Sequence, residues 1–506
     1  MSGVPILSLV ILAPWAGAVL ILLWPRGAGG VRALALGSSL STLVLAAVAW
    51  SSFRPELTGY QFVEARAWIP ALHVEYHLGL DGLGLIFVLL TGVAAPAGLL
   101  GSGPAERDSR LYSGLYLLLQ GSVLGVFLAL DFVPWFLFWE LSLAPAFFLI
   151  RLWGGPGATR AALQFVLMTV GGSAFLLVAF AALYVAAGTF DFAELTRLAA
   201  HGDLAGKLAS LGWFWPRLVF AGAALGLAVK VPLFPLHTWQ PSAYAEAPTG
   251  VSMFLTAAVS KMGVYGFLRI LWPIFPGQIH AAAPVLIWLA LGSVVLGAFA
   301  AIRQTDLKRM VAYSSINHLG YCLLALFAVA AAGAPGPRSA SALDGAILQA
   351  FNHALSAGAL FFCVGMLESR TGTRGLNDFG GIRASAPVFA GLCGISMFSS
   401  LGLPGLNGFV GEFLILRGVF GLEPWAGALA CLGLLATAIF LLGFWQRVFH
   451  GPPNPDLRPF PDVRPAETAV LVPSVALMFL FGVAPQILIG LLNPLVSSWV
   501  AGLPSP

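Results

Sequence analysis

Val229-Lys230-Val231-Pro232-Leu233-Phe234-Pro235 sets a lysine and two prolines inside a long apolar stretch, and Gly402-Leu403-Pro404-Gly405-Leu406-Asn407-Gly408 interrupts a second stretch in a similar way. Proline removes a backbone donor and clashes with the preceding turn, so each segment reads as a helix broken in its middle. Such a break frees backbone groups, which hydrocarbon does not tolerate unless protein or a water-lined cavity meets them. Each break lies about 120 residues after the start of a block of five apolar spans, counted from Leu111 and from about Ala282. Matched interruptions in two halves point to the working site of a transporter built from repeats. Two unrelated proline kinks are the plainer alternative.

Around these breaks the chain is 59% hydrophobic and 9% charged, with a mean hydropathy of +0.90. Apolar runs of about 18 residues or more recur, so the length of 506 residues does not mean several soluble domains. Leu111–Leu130 and Ala426–Leu442 are apolar nearly all round, as helices in lipid or in a bundle core are, whereas barrel strands would alternate. The expected fold is all-α: a polytopic membrane protein of about fourteen transmembrane helices, beginning near residues 4, 31, 78, 111, 132, 162, 217, 249, 282, 309, 345, 386, 425 and 466. That count divides the chain into a three-helix segment (1–110), a first five-helix repeat (111–272), a second (273–448), and a C-terminal helix and tail (449–506). The run Val4–Leu23 has neither a cationic flank nor a cleavage site and is expected to stay as the first helix. The loops at 25–32, 101–110, 151–161, 303–309, 369–385 and 447–465 hold about fifteen Lys and Arg against about seven on the other side, which places both termini outside the cytoplasm.

The net charge of +4 is too diffuse for a nucleic-acid footprint. Cysteines 322, 363, 393 and 431 show no metal-ligand spacing, so neither an iron–sulfur cluster nor a structural zinc is expected. Gly188–Pro216 interleaves charges with Phe190, Phe192, Leu195 and Leu204, as a surface helix at the membrane interface does. Within it, Gly202-Asp-Leu-Ala-Gly206-Lys207 is one residue short of a phosphate-binding loop and lacks the following hydroxyl, so no nucleotide is expected.

The informative residues are charges where charges are costly. A lysine at the bilayer centre costs roughly 2.5–3.5 kcal/mol on insertion scales, so it needs a partner, water or a task. Lys230 and Lys261, two of only four lysines, and the carboxylates Glu140 and Glu412 all fall in apolar spans. Glu140 lies about eight residues from its helix start, roughly 12 Å deep, and Lys230 at the first break is the expected partner. Lys261 comes partway into the eighth span, His318 about nine residues into the tenth, His353 near the start of the eleventh, and Glu412 after the second break. A lysine whose partner comes and goes is a switchable proton site. Static ion pairs that fix helix register are the alternative. His237 follows the first break and joins the candidates, whereas His73, His77, His201, His280 and His450 read as loop or interface residues. Asp81 reads equally as a cap or a site. Asp306, Lys308 and Arg309 read as membrane-surface charges, with Lys308 also placed to feed a cytoplasmic entrance.

Tyr76-His-Leu-Gly-Leu-Asp-Gly, Phe138-Trp-Glu140, Lys230-Val-Pro-Leu-Phe-Pro-Leu-His237-Thr-Trp239, Glu246-Ala-Pro-Thr249, Lys261-Met-Gly-Val-Tyr-Gly, Asp306-Leu-Lys-Arg-Met-Val-Ala-Tyr-Ser-Ser315 and Gly402-Leu-Pro-Gly with Gly411-Glu412-Phe form one set. Over nearly the whole chain this set resembles the antiporter-like membrane subunits of NADH-quinone oxidoreductase, respiratory complex I. The resemblance implies two inverted five-helix repeats. It also implies an input pair Glu140 and Lys230, a central relay Lys261, His318 and His353, and a terminal site at Glu412. A glutamate at that last position is typical of the M type, where the L and N types usually carry lysine, and the chain ends soon after its fourteenth span without the long extension of the L type.

The implied function is non-redox proton translocation in a bacterial inner membrane. No cofactor or metal is expected on this chain, and the implied partners are other membrane-arm subunits of L and N type. After Trp239 the family usually carries Leu-Pro-Asp-Ala-His, where this chain has Gln240-Pro-Ser242-Ala-Tyr244, so a carboxylate and an imidazole are missing from a cytoplasm-side entrance. A multisubunit sodium/proton antiporter, an energy-converting hydrogenase and a passive membrane scaffold are the other readings.

Overall fold

The computed structural model describes residues 4–25, 30–57, 59–102, 108–455 and 460–503. Residues 26–29, 103–107 and 456–459, which belong to three of the loops in the orientation argument, lie outside the described residues. Helices α1 (Ile6–Leu23), α2 (Val31–Ser52) and α3 (Gly82–Gly101) lead into a block formed by α4 (Ser109–Leu128), α5 (Phe132–Trp153), α6 (Ala158–Ala187), two short helices α7 (Phe192–Ala200) and α8 (Asp203–Ser210), the interrupted pair α9 (Trp215–Lys230) and α10 (Trp239–Glu246), and α11 (Thr249–Ile274). The second block repeats that order with α12 (Pro276–Ile302), α13 (Leu307–Ala332), α14 (Pro337–Thr371), the interrupted pair α15 (Pro387–Ser400) and α16 (Asn407–Leu422), and α17 (Pro424–Phe449). Helices α18 (Pro465–Val483) and α19 (Gln486–Ala501) follow. Twelve helices among the described residues are long and apolar enough to cross a membrane.

Local chemistry sets where these helices begin and end. Asp81, Asp108, Asp131, Asp191 and Asp306 each accept a backbone N–H at the start of a helix, satisfying donors that the first turn leaves free. Gly188, Gly333 and Gly372 close α6, α13 and α14 in the left-handed conformation. Peripheral helices turn apolar side chains outward, such as Leu167, Val178 and Val185 on α6, as lipid-facing helices do. In contrast, the most apolar windows of α11 and α14 are 100% buried, which puts these two helices at the centre of the bundle.

Both breaks are held by side chains that take up the freed backbone groups. At the first, Trp239 Nε1 donates to Val229 O at 2.9 Å and Phe234 N donates to Ser293 Oγ at 2.8 Å. At the second, Asn352 Nδ2 donates to Asn407 O at 2.7 Å, and Ser399 Oγ donates to Asn407 Oδ1 at 2.6 Å. Gly263 lets α11 approach the first break, because a Cβ there would stand 2.7 Å from Val231 N. Lys230 and Lys261 therefore sit near one contact between two central elements.

Four expectations change. The third span begins at Gly82 rather than near 78, since β1 (Gln61–Ile69) and β2 (Val74–Leu80) form an antiparallel hairpin in front of it. Val74, Tyr76, Leu78 and Leu80 alternate with Glu75, His77 and Gly79, a period of two that a span-seeking window averages away. The segment 188–216 holds two short helices rather than one, with apolar faces of Phe192, Leu195, Leu198, Leu204 and Leu208 turned inward, and α8 meets α9 at 107°. The eleventh span starts at Pro337, so His353 lies near mid-helix instead of near its start. Lys308 is buried rather than a surface charge, because Glu368 closes over it at 2.6 Å.

Candidate functional site

The centre of the molecule contains a row of polar side chains, hydrogen-bonded at either end and joined in the middle by two neighbouring imidazoles. Lys261 Nζ lies 2.8 Å from His353 Nδ1 and donates to Thr256 O at 2.5 Å. The His353 and His318 rings are neighbours, with centroids 5.1 Å apart and planes tilted by 41°. His318 Nδ1 is 3.0 Å from Glu412 Oε1, and Gln349 Nε2 donates to the same oxygen at 3.1 Å while lying 3.2 Å from His318 Nδ1. All five side chains are buried.

Each member is placed by the fold. Helix α11 carries Lys261 two residues beyond the end of a π-helical segment, Leu255–Val259, whose wider turn leaves the Thr256 carbonyl facing the ammonium. Gln349 and His353 are four residues apart on α14 and so share a face, opposite His318 on α13. Glu412 enters from α16 because the break turns that half-helix inward, and Gly402 at φ +76° leaves room for its carboxylate, which a Cβ would meet at 2.6 Å.

The directions of the hydrogen bonds are chemically determined. An ammonium only donates, so when Lys261 is charged His353 Nδ1 accepts and the ring proton sits on Nε2. A carboxylate only accepts, so His318 Nδ1–H and Gln349 Nε2–H both point at Glu412. The Nε2 atoms of His318 and His353 are buried with no protein partner. A proton given by Lys261 to His353 Nδ1 would free the Nε2–H beside the His318 ring, a step that needs a water or a ring rotation between the two imidazoles, and His318 in turn offers Nδ1–H to Glu412.

The first break is arranged differently from the expected pair. Lys230 does not form an ion pair with Glu140; its ammonium reaches Ser142 Oγ at 3.5 Å and lies 5.0 Å from the Trp139 ring. Both contacts come from the same turn of α5 that bears Glu140, so the carboxylate acts on Lys230 through space across that turn. Glu140 Oε1 is buried without a protein partner although the residue itself is only half-buried. His237 stands apart from the row, half-buried against Phe234 and Tyr313.

Three groups that sequence reasoning missed complete the picture. Gln349 donates to Glu412 alongside His318, and its four-residue spacing from His353 was the available signal. Arg269 forms a buried ion pair with Asp81 at 2.5 Å, so Asp81 is both a cap and a charge partner. Arg374 binds Glu246 at 2.9 Å, Asp306 at 2.6 Å and Glu368 at 3.4 Å, tying the end of α10 to the start of α13 and the end of α14. The three carboxylates hold its guanidinium above the ordinary arginine range despite partial burial.

Residues 129–439 match the family described as NADH:quinone oxidoreductase/Mrp antiporter, transmembrane. NADH-quinone oxidoreductase subunit M of Rhodobacter capsulatus is 36% identical over 507 residues, covering 98% of this chain and 96% of that one. The subunit M of Mycobacterium tuberculosis is 33% identical, covering 98% and 94%. Among solved structures, a chain of respiratory complex I from Thermus thermophilus with bound NADH superimposes with a TM-score of 0.86 at 31% identity, covering 99% of this chain and 100% of that one. A chain of the Mrp complex from Dietzia gives 0.80 at 28% identity, covering 98% of this chain and 52% of that one.

Proposed function

The chain belongs to the NADH:quinone oxidoreductase/Mrp antiporter family of membrane subunits, and from that premise we propose that it is the M-type subunit of a bacterial NADH-quinone oxidoreductase, moving protons while quinone is reduced elsewhere in the complex. The observation that carries this reading is the buried row Lys261, His353, His318, Gln349 and Glu412. Such a row is costly in a membrane, and a proton path is the usual reason to keep one.

The sequence of events is electrostatic. A charge change in a neighbouring subunit reaches Glu140, a residue only half-buried by this chain, and alters how strongly Lys230 holds its proton. Lys230 lies on the break that touches α11 at Gly263, so its charge acts on Lys261. Lys261 then passes its proton through His353 and His318 to Glu412. Moving one charge against about 150 mV costs roughly 3.5 kcal/mol, which must arrive from partner subunits of L and N type. No redox group or nucleotide is assigned to this chain.

Counted as one span each, the two broken helices bring the total to about fourteen, in repeats 111–272 and 273–448. Five crossings per repeat invert the second relative to the first, and an even total puts both termini on one side, the periplasmic side by the charge bias of the loops.

In the assembled complex, Lys230→Ala should abolish or sharply reduce pumping with the membrane arm intact. A normal proton-to-electron stoichiometry in that variant defeats the proposal. Similarity to the Mrp chain supports a second reading, a cation/proton antiporter subunit, which sodium-driven exchange without any quinone substrate would favour. The coverage of the two M subunits, 96% and 94% of their own lengths, favours the first.

A further inference from the structure

The relay needs a supply of protons on its Lys261 side, and besides His353 this lysine has hydroxyl side chains close by. Ser260 Oγ and Lys261 Nζ both donate to the Thr256 carbonyl, at 3.1 and 2.5 Å. Tyr244, on the half-helix α10 beyond the first break, donates its hydroxyl to Leu255 O at 2.9 Å, the carbonyl that also receives Ser260 N–H across the π-helical turn. Ser260 and Gln240 lie beside that hydroxyl. Tyr244, Gln240, Ser260 and Thr256 are all fully buried.

Two observations make this cluster more than packing. Both ends of the Gln240 amide, Nε2 and Oε1, are buried with no hydrogen-bond partner in the protein, an arrangement that is costly unless something else meets them. Buried polar atoms of this kind are met by ordered water. The cluster also continues toward the charged end of α10. Ser252 Oγ donates to Tyr244 O at 2.7 Å and to Ala247 O at 3.2 Å, and Lys308 Nζ reaches that same Ala247 O at 3.4 Å. Beyond Lys308 stands Glu368, whose side chain is 33% exposed, so the buried lysine is one ion pair away from the surface.

Resting on the proton-translocation reading above, we propose that Tyr244 and Ser260 form the hydroxyl chain through which Lys261 takes up protons from the side of the Lys308–Glu368 pair. A hydroxyl can accept a proton on its lone pair while releasing its own. A water-borne proton arriving beside Gln240 joins the Tyr244 oxygen. The original phenolic proton turns from Leu255 O to Ser260 Oγ, and the Ser260 proton passes to neutral Lys261 Nζ. Each oxygen ends with the number of protons it began with, and Lys261 gains one.

The test uses the complete complex in proteoliposomes, with proton uptake measured as NADH is oxidised and subunit content checked for assembly. Tyr244→Phe keeps the ring and its contacts with Trp239 and Phe361 but removes the oxygen, and it should slow pumping about tenfold or more, within the range lost with a proton-transfer group. Tyr244→His restores a group that accepts and donates, and should recover most of that rate. Ser260→Ala should slow pumping in the same way. Wild-type pumping by Tyr244→Phe overturns the inference, as does a loss that Tyr244→His leaves unrepaired, which marks a packing role. Lys261→Ala is the control that separates the two claims: if it pumps normally, the function proposed for the row itself fails.

Discussion

Lys261 Nζ and His353 Nδ1 stand 2.8 Å apart inside the bundle, and at that distance they cannot both be protonated. One lone pair must face one N–H, so the pair holds a single shareable proton between them. This is the property a relay needs at its first step. Lys261→Met keeps the length of the side chain without the amine, and His353→Leu keeps volume without the acceptor. Each should lower NADH-driven proton uptake by about tenfold or more, with assembly unchanged. Pumping in the double variant should fall no further than in either single one, because residues acting in series are non-additive. Additive losses measured in proteoliposomes would show that the two residues serve separate paths.

Gln349 offers a gentler perturbation. Its amide donates to the Glu412 oxygen that also lies 3.0 Å from His318, so it orients the carboxylate for the last transfer. Gln349→Leu should slow pumping several-fold, about 1 kcal/mol in barrier, while leaving the row otherwise whole. Combining it with Glu412→Gln in a double-variant cycle should show strong coupling. Independence of the two substitutions would mean that Gln349 only fills space.

The contrast between these residues explains what the sequence made legible. Lysines and carboxylates in apolar spans are conspicuous because hydrocarbon makes a charge costly, so Lys261 and Glu412 stand out in any hydropathy reading, and the two imidazoles follow from their spans. Gln349 is neutral and raises no such signal. The proline breaks announced themselves through backbone chemistry, and the structure has an interrupted helix at each. Contact geometry was less legible. Spacing put Glu140 at the right depth for Lys230, but which face of a helix turns toward a neighbour depends on packing, and here Ser142 and Trp139 meet the ammonium. Lys308 looked like a surface charge because it begins a helix, and only the fold brings Glu368, sixty residues on, over it. The hairpin at 61–80 was hidden by running directly into an apolar helix.

Arg374 makes a separate prediction about stability. Three carboxylates from three elements converge on its guanidinium, and none of them has another arginine to turn to among the described ion pairs. Arg374→Ala leaves Glu246 and Asp306 as partly buried charges, whereas Glu368 keeps Lys308. With these side chains partly exposed, water takes up some of the loss, so the expected cost is about 1–3 kcal/mol rather than the full cost of a buried pair. Thermal unfolding of the detergent-solubilised complex should begin at lower temperature in this variant. An unchanged transition would show that solvent replaces all three contacts.

The outer hairpin should loosen as pH rises. His77 Nδ1 lies 2.6 Å from Asp191 Oδ2, tying β2 to the start of α7, and that hydrogen bond is the main reason the imidazole keeps its proton above the usual histidine range. Asp131 sits in the same corner, bridged to Asp191 through the backbone, and burial is the main cause that pushes its carboxyl up to about 6. Both groups hold protons more tightly folded than unfolded, so both contribute stability that is lost as pH rises. For Asp131 the loss runs from about pH 4 up through 6. For His77 the contribution is complete below about pH 6.5 and disappears through the raised folded value above it. Hydrogen exchange at the first turn of α7, where Glu194 N–H is bound by Asp191, should therefore show protection falling in two steps, after correction for intrinsic rates. His77→Ala should remove the upper step and leave the lower. A single step at the lower pH in the unaltered protein would mean that His77 is already neutral against Asp191, and that the tie is an ordinary hydrogen bond without a charge.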